Sequence, residues 1–195
     1  MKMNERGEGE VKIEKGSIGY IKNNIKKNLL LTFIWIIIGF GIFVIGMYLN
    51  NFNRANILTV LAVLAVLPAA KRIVALVVFL PRKGITEERK ERIQENLGGG
   101  KMICEYVFTS TEKIVHLDFL LIKNGNVMGV VGKSKQDEKY LEKYLKELVK
   151  KKSEYPVYLF KNDQELIEFS EKLDDAENDL DANEELAEYL LTFAV

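Results

Sequence analysis

Cysteine and histidine are almost absent from this sequence of 195 residues, which contains one of each, Cys104 and His116. A single thiol excludes an internal disulfide and a zinc site built from several cysteines, and it is compatible with a reducing compartment. A complete phosphate-binding P-loop is also missing, because segment 129–133 (GVVGK) lacks its spacing. The sequence therefore indicates neither a disulfide-stabilised fold nor a P-loop nucleotide site.

Charge is absent from residues 29–49 (LLLTFIWIIIGFGIFVIGMYL). Such a run of 21 residues spans about 30 Å as a helix, which is the thickness of a bilayer's hydrocarbon core. A cleaved signal peptide does not fit, because the run exceeds the usual apolar length of about 7–15 residues and a second apolar run follows it. The sequence predicts a membrane hairpin over residues 29–80.

The second spanning segment is predicted as a helix from about 54 to 72. This places Lys71 and Arg72 at the same membrane interface as Lys26 and Lys27. Residues 73–80 then lie at the interface or continue the helix. An alternative is one tilted helix over 57–80 with both cations beside a polar cavity, as in a small subunit of an oligomeric pore or transporter.

Basic residues predict the orientation of the hairpin. Seven Lys and Arg lie before the first span or at and after the end of the second, whereas the turn between the spans contains only Arg54. Basic residues concentrate on the cytoplasmic side, so both termini are predicted in the cytoplasm of a bacterial-type cell, with the hairpin in its inner membrane. Residues 1–28 are predicted as a cytoplasmic segment, disordered at first. From Ser17 this segment becomes amphipathic and lies along the inner leaflet.

Overall charge gives little support to nucleic-acid binding, since 28 Lys and Arg balance 28 Asp and Glu. The expected partners are the lipid bilayer and either another protein or a second copy of the chain. Lysines on the predicted helix over 135–152 leave two interpretations open, contact with anionic lipid or a solvated face paired with glutamates.

Residues 85–173 predict a small cytoplasmic α/β domain with a mixed sheet. A polar helix ends at Gly98-Gly99-Gly100, and β-branched and aromatic residues then predict strands over 101–109, 114–122 and 127–131, with a hairpin turn at Asn124-Gly125. A helix follows with Ser134 and Asp137 as a capping pair, then a strand over 157–160 and a helix opening at Asn162. The predicted order is α-βββ-α-β-α-α, counting the last helix described next.

Residues 174–195 form an acidic linker followed by a helix predicted from Asn183 to Phe193. Leu186, Leu190 and Phe193 share one side of this helix. This stripe is the predicted interaction surface, which either docks on a basic groove of a partner or folds back onto the domain.

The order α-βββ-α-β of residues 85–160 resembles the core of restriction-endonuclease-like nucleases, including nuclease-related domains beside bacterial membrane helices. In that family an Asp on the second strand and an acid-x-Lys on the third hold a divalent cation. Asp118 (HLDF) and Lys133 (VVGK) match in placement, but Val131 stands where the second acid would be. The resemblance implies a degenerate metal-dependent nuclease in which Asp118 is the remaining ligand for Mg²⁺ and Lys133 the catalytic lysine; no other cofactor is predicted.

His116 and Asp118 are two residues apart on a predicted strand and therefore point to one face. They could orient an imidazole or share a metal, but no third partner is identifiable. A half-exposed polar pair is favoured, with Val115, Leu117, Phe119 and Leu121 on the opposite face. The function predicted from the sequence is a non-catalytic, membrane-anchored interaction module, with the nuclease and the pore or transporter subunit as alternatives.

Overall fold

The computed structural model describes residues 14–51, 53, 56–97, 100–110, 113–132, 137–173 and 179–195. Its described residues form a mixed α/β structure of six helices and a four-stranded sheet. The elements are α1 (Tyr20–Leu49), α2 (Ile57–Phe79), α3 (Glu87–Leu97), β1 (Lys101–Thr109), β2 (Ile114–Lys123), β3 (Asn126–Val130), α4 (Glu138–Lys150), β4 (Val157–Phe160), α5 (Asp163–Glu171) and α6 (Leu180–Leu191). The predicted order after the hairpin, α-βββ-α-β-α-α, is confirmed.

Helices α1 and α2 pack against each other through small residues, and both are long and apolar enough to cross a membrane. A Cβ atom added at Gly39 would lie 2.5 Å from Cγ2 of Val66, and one added at Gly46 would lie 2.6 Å from Cβ of Leu58. Glycine therefore permits this approach, and the predicted packing of the two helices within one chain is confirmed.

The helix boundaries were tested at the end of the hairpin that adjoins the domain. α2 begins at Ile57, where the Asn56 side chain accepts a hydrogen bond from the Thr59 amide, and continues without a break through Pro68 and past Arg72 to Phe79. Of the two arrangements predicted for residues 73–80, the structure has the continuing helix, since α2 does not end at 72. Residues 20–28 belong to the same helix as the apolar run, so they do not form the separate amphipathic segment that was predicted.

The sheet has the order β1-β2-β3-β4, with antiparallel pairing except between β3 and β4, which are parallel. Asn124 and Gly125 have φ angles of 48° and 70°, the left-handed pair that a two-residue hairpin turn between β2 and β3 requires. The predicted hairpin is confirmed. α4 and α6 cover one face of the sheet, and α3 and α5 cover the other.

Side-chain alternation along β1 and β2 changes phase in mid-strand. Glu105 has a φ of 49°, which is unusual for a residue other than glycine, and it lies opposite Asp118. Leu117 lies in the core with α4 and α6, whereas Phe119 lies in the core with α3 and α5. The predicted common face of Val115, Leu117, Phe119 and Leu121 is therefore wrong, because strict alternation fails at this point.

The buried carboxylate of Glu105 joins the hairpin to the sheet. It accepts backbone N–H bonds from Gly19 and Ile21 at the start of α1, at 3.1 and 2.7 Å, and from Ile85 after α2, at 2.9 Å. Glu105 is 1% exposed, and an apolar cluster of Ile21, Val78, Phe79 and Val107 packs at the same junction. Both legs of the hairpin are thus held against one strand.

Residues from both ends of the described chain cover the outer edge of β1. The Cys104 amide donates to the Gly16 carbonyl at 2.8 Å, and the Val195 amide donates to the Val107 carbonyl at 3.0 Å. The Tyr20 hydroxyl donates to the Val195 carbonyl at 2.7 Å. These bonds satisfy backbone groups that an open edge would expose to another strand.

Candidate functional site

A polar cleft lies where the hairpin meets the α3/α5 side of the sheet. Its lining consists of residues 81–86 after α2, Arg89 of α3, His116 and Asp118 of β2, Gly132 after β3, and residues 161–163 at the start of α5, and its volume is about 540 Å³. The carboxyl ends of the parallel strands β3 and β4 open into this space, which is a common position for ligand sites in α/β folds.

Arg89 is the centre of the cleft because its guanidinium bridges two carboxylates. Nη1 donates to Oδ2 of Asp118 at 2.6 Å, while Nε and Nη2 donate to the two oxygens of Asp163 at 2.7 and 2.6 Å. The Asp118 and Asp163 side chains are 10% and 12% exposed. The hydrogen bond that Arg89 donates to Asp163 is the main cause that raises the pKa of Arg89, so the three groups form one charged, hydrogen-bonded unit.

Local sequence places each member of this unit. Asn162 caps α5, its side chain accepting from the Glu165 amide at 2.9 Å, so Asp163 is the first helical residue. Arg89 follows two glutamates in the first turn of α3. Gly132 lies against Asp118, since an added Cβ would be 2.1 Å from Oδ1 of that carboxylate. Glycine at 132 is therefore required for the close approach.

His116 is 3% exposed, and its Nδ1 lies 3.8 Å from Oδ1 of Asp118. That distance is too long for a hydrogen bond. Burial is the main cause that lowers the pKa of His116 to about 4; Asp118 opposes the shift, and Arg82 and Arg89 add to it. The imidazole is therefore neutral at pH 7, and the pair is buried rather than half-exposed as predicted.

The predicted catalytic residues are only partly described. His116 and Asp118 lie on the same side of the sheet, as their spacing predicts, but Lys133 lies outside the described residues. Ser134, the predicted capping residue, also lies outside them, and Asp137 caps α4 through a 3.2 Å bond from the Tyr140 amide. Among the residues that the structure describes, no three His, Cys, Asp or Glu side chains are grouped to hold a metal ion.

Sequence reasoning missed Arg89, Asp163 and Glu105. Glu105 had a signal, since it is a charged residue in the middle of the apolar strand KMICEYVFT. Asp163 had a weaker signal as the residue after a predicted cap. Arg89 had none, because seven of the eleven residues of α3 are charged and nothing in its sequence selects one arginine over the other.

The predicted interaction stripe is packed within the domain. Leu186 and Leu190 of α6 are 2% and 0% exposed in the core with α4, and the Tyr106 hydroxyl donates to the Leu190 carbonyl at 2.6 Å. Phe193 is partly buried and contacts Tyr189 edge-to-face. Of the two arrangements that the sequence left open, the structure has the helix folded back onto the domain.

The four predicted membrane-interface residues lie at one level of the hairpin. Lys26, Lys27, Lys71 and Arg72 are all exposed, and Nη1 of Arg72 donates to Oδ1 of Asn28 at 3.3 Å. Asn28 directly precedes the uncharged run of α1. The contact therefore aligns the two cations of α2 with the basic end of α1.

The chain matches no protein-family model, and neither a curated protein nor a solved structure is similar to it.

Proposed function

We propose that the chain is a membrane-anchored interaction module, with the hairpin in a bacterial inner membrane and the α/β domain in the cytoplasm. The observation that carries this proposal is the shared Glu105 carboxylate, which binds both legs of the hairpin to β1. A domain attached this way has one orientation relative to the hairpin. A rigid attachment of this kind suits a subunit that presents one surface to a partner in a fixed orientation.

The cleft chemistry supports binding rather than turnover. Arg89 uses Nε, Nη1 and Nη2 on Asp118 and Asp163, so neither carboxylate is available as a base without breaking the unit. His116 is neutral and buried. A general base needs access to its substrate as well as a suitable pKa. These residues therefore stabilise the floor of the cleft.

The rim of the cleft indicates the chemistry of the partner. Lys83 and Lys161 are exposed at the rim, the Lys161 side chain to 72%. Arg89 and Arg92 together balance the charges of Asp118 and Asp163. Glu138 offsets part of the Lys161 charge at 3.3 Å, and Lys83 keeps the rim positive. An acidic segment of a partner protein, in or beside the same membrane, is the proposed ligand.

Site-specific photocrosslinking tests this proposal in native membranes. A photoreactive residue at Thr86, on the exposed rim, is expected to yield a discrete adduct with a second protein. The double change Lys83→Glu and Lys161→Glu should reduce that adduct several-fold, while Lys146→Glu on the opposite side of the sheet leaves it unchanged. An adduct yield that ignores both charge reversals, or no adduct at all, would contradict the proposal.

A second candidate is the degenerate nuclease, because the carboxylates of Asp118 and Asp163 both contact one positive group, the guanidinium of Arg89. In this candidate Mg²⁺ would have to displace the guanidinium of Arg89. The test is divalent-dependent cleavage of DNA or RNA by the purified full chain in detergent. Cleavage lost in Asp118→Ala and retained in Asp181→Ala, an exposed acid on α6, would favour the enzyme over the binding module.

A further inference from the structure

Helix α2 carries an apolar surface beyond the level of its two cations. Ile73, Val77 and Leu80 are 46%, 64% and 61% exposed, and helical spacing places them on one stripe. We call these three residues the lower stripe. Leu76, Val78 and Phe79 of the same segment are buried, and Val78 and Phe79 pack against Ile21 of α1 and Val107 of β1. The lower stripe is thus the side of this segment that the described chain does not cover.

The lower stripe continues the membrane-facing surface above it. Val63, Val66 and Ala70 precede Ile73 at alternating spacings of three and four residues, and all three are exposed. Val66 lies at the edge of this surface, because it also contacts Gly39 of α1. Lys71 and Arg72 do not interrupt this surface, because at 100° per residue they lie about 160° and 100° around the helix from Ile73. One uncharged surface therefore runs from the hairpin's midpoint to its inner end.

Charge distinguishes between the possible covers of the lower stripe. Residues 15–86 contain nine Lys and Arg and no Asp or Glu, whereas residues 87–195 contain 16 Lys and Arg against 24 Asp and Glu. A second copy paired in parallel along this stripe would bring Arg82 and Lys83 of both chains together just beyond Leu80. An anionic lipid surface would be attracted by the same cations. The charges therefore favour lipid.

The length of α2 also favours lipid as the cover of the lower stripe. A helix from Ile57 to Leu80 is about 36 Å long, whereas the hydrocarbon core is about 30 Å thick. A helix that is too long tilts, and Lys71 and Arg72 can extend their long side chains to the headgroups from such a position. The Arg82 guanidinium donates to the Ile114 carbonyl at 3.3 Å, which places another exposed apolar side chain beside the end of α2.

From these observations we infer that the inner leaflet of an anionic bilayer covers the lower stripe, so that the hairpin is tilted and α2 enters the lipid along its whole length. This inference rests on the proposed membrane insertion. It adds a docking surface, because the domain then lies against the bilayer on the side of Leu80 and Ile114 instead of standing clear of it.

Spin labels at single cysteines test the inference in the full chain, reconstituted in vesicles of three parts phosphatidylcholine to one part phosphatidylglycerol. Labels are introduced by Val77→Cys and Leu80→Cys, with Lys22→Cys as the control on the exposed, polar side of α1 near the same level. Cys104 is buried and its pKa is raised to about 11 by burial, so the unaltered chain serves as the labelling blank. Collisions with oxygen report lipid, and collisions with a nickel chelate report water.

We expect the oxygen-to-nickel collision ratio at 77 and 80 to exceed that at 22 several-fold. Nickel access at 77 and 80 equal to that at 22 would overturn the inference. Low access to both reagents would also overturn it, because protein would then cover the stripe. A label at Phe40→Cys distinguishes lipid contact of the lower stripe from membrane insertion of the hairpin. If position 40 contacts lipid while positions 77 and 80 contact water, only the inference about the lower stripe fails. Nickel access at position 40 would contradict membrane insertion itself.

Discussion

Arg89 determines which chemistry the cleft can perform, because its guanidinium bonds both nearly buried aspartates and Arg92 supplies the second positive charge on Asp163. A buried ion pair contributes little net stability when intact, but removing one partner leaves an uncompensated charge away from water. The same reasoning applies to His116, whose neutral form is the one that fits the folded structure. Substitutions of Arg89 and His116 are therefore expected to change the free energy of unfolding.

Replacing Arg89 with Ala is expected to lower the free energy of unfolding by about 3 kcal/mol, since Asp118 and Asp163 lose their shared partner. Arg92→Ala is the matched control. Its Nη2 bonds the same Asp163 at 3.1 Å, but its side chain is 64% exposed, so we expect less than about 1 kcal/mol. Urea titration of the full chain in mild detergent, followed by circular dichroism, measures both. Equal losses would show that the bridge is not a buried unit.

Stability should fall in acid because of His116. Its pKa is about 4 when folded and about 6.5 when exposed, so the unfolded chain binds the extra proton first. The stabilisation of the folded state by neutral His116 is fully present above pH 6.5. It decreases as the pH falls, and the free energy of unfolding is lower by about 3 kcal/mol near pH 4. Thermal unfolding from pH 7.5 to 4 should show a shallower decline in His116→Gln. Parallel curves for the two proteins would contradict the assignment.

At the scale of elements, β1 connects the other parts of the chain. Its residue Glu105 binds the two legs of the hairpin, its inner face receives α6, and its outer edge receives Gly16 and Val195. The positive φ of Glu105 turns this carboxylate toward the hairpin at the point where side-chain alternation changes phase. A strand that is apolar by composition thus joins the helical hairpin to the domain.

Glu105→Ala should disconnect the hairpin from the sheet, because three amides lose a charged acceptor. A bond to a charged group contributes about 1.5–3 kcal/mol, so the loss is expected to be at least about 3 kcal/mol. Hydrogen exchange should accelerate at residues 19–21 and 85 before it does in β2 and β3. Glu87→Ala, which removes an exposed acid paired only with Lys90 among the described residues, should leave this exchange unchanged. Uniform acceleration over the whole sheet would contradict a local joint.

Helix α6 should contribute to the core and not to a free binding surface. Leu190→Ala is expected to cost about 2–5 kcal/mol, the usual range for a large buried side chain, since Leu190 is fully buried. Leu180→Ala on the same helix is the control, because Leu180 is 63% exposed. Denaturant midpoints of the two variants measure the difference. A Leu190 variant as stable as the Leu180 variant would show that α6 is not docked as described.

The elements were largely predictable because their signals are local. An uncharged run, the Asn124-Gly125 turn and the helical spacing of α4 each lie within a few neighbouring residues. The start of α1 was missed, since the polar residues 20–28 continue the helix of the apolar run. For the end of α2 the sequence left two arrangements open, and local spacing did not decide between them. The Arg89–Asp163 bridge joins residues 74 positions apart, and only the tertiary fold brings them together. The phase change at Glu105 was missed because strict alternation was assumed.

At the scale of the whole molecule, charge and hydropathy divide the chain into two parts. The hairpin and its flanks are basic and apolar, the domain is acidic, and Glu105 joins them without a flexible linker. This arrangement holds the cleft in one position relative to the two apolar helices. The account depends above all on α1 and α2 crossing the membrane with the domain on the inner side.

The most direct measurement is cysteine accessibility in intact cells that express the full chain. Asn51→Cys lies in the exposed turn between α1 and α2, and Lys172→Cys lies on the exposed end of α5. A membrane-impermeant maleimide should label position 51 in intact spheroplasts and position 172 only after permeabilisation. Labelling of position 172 from outside, or recovery of the chain from the cell without detergent, would contradict the account.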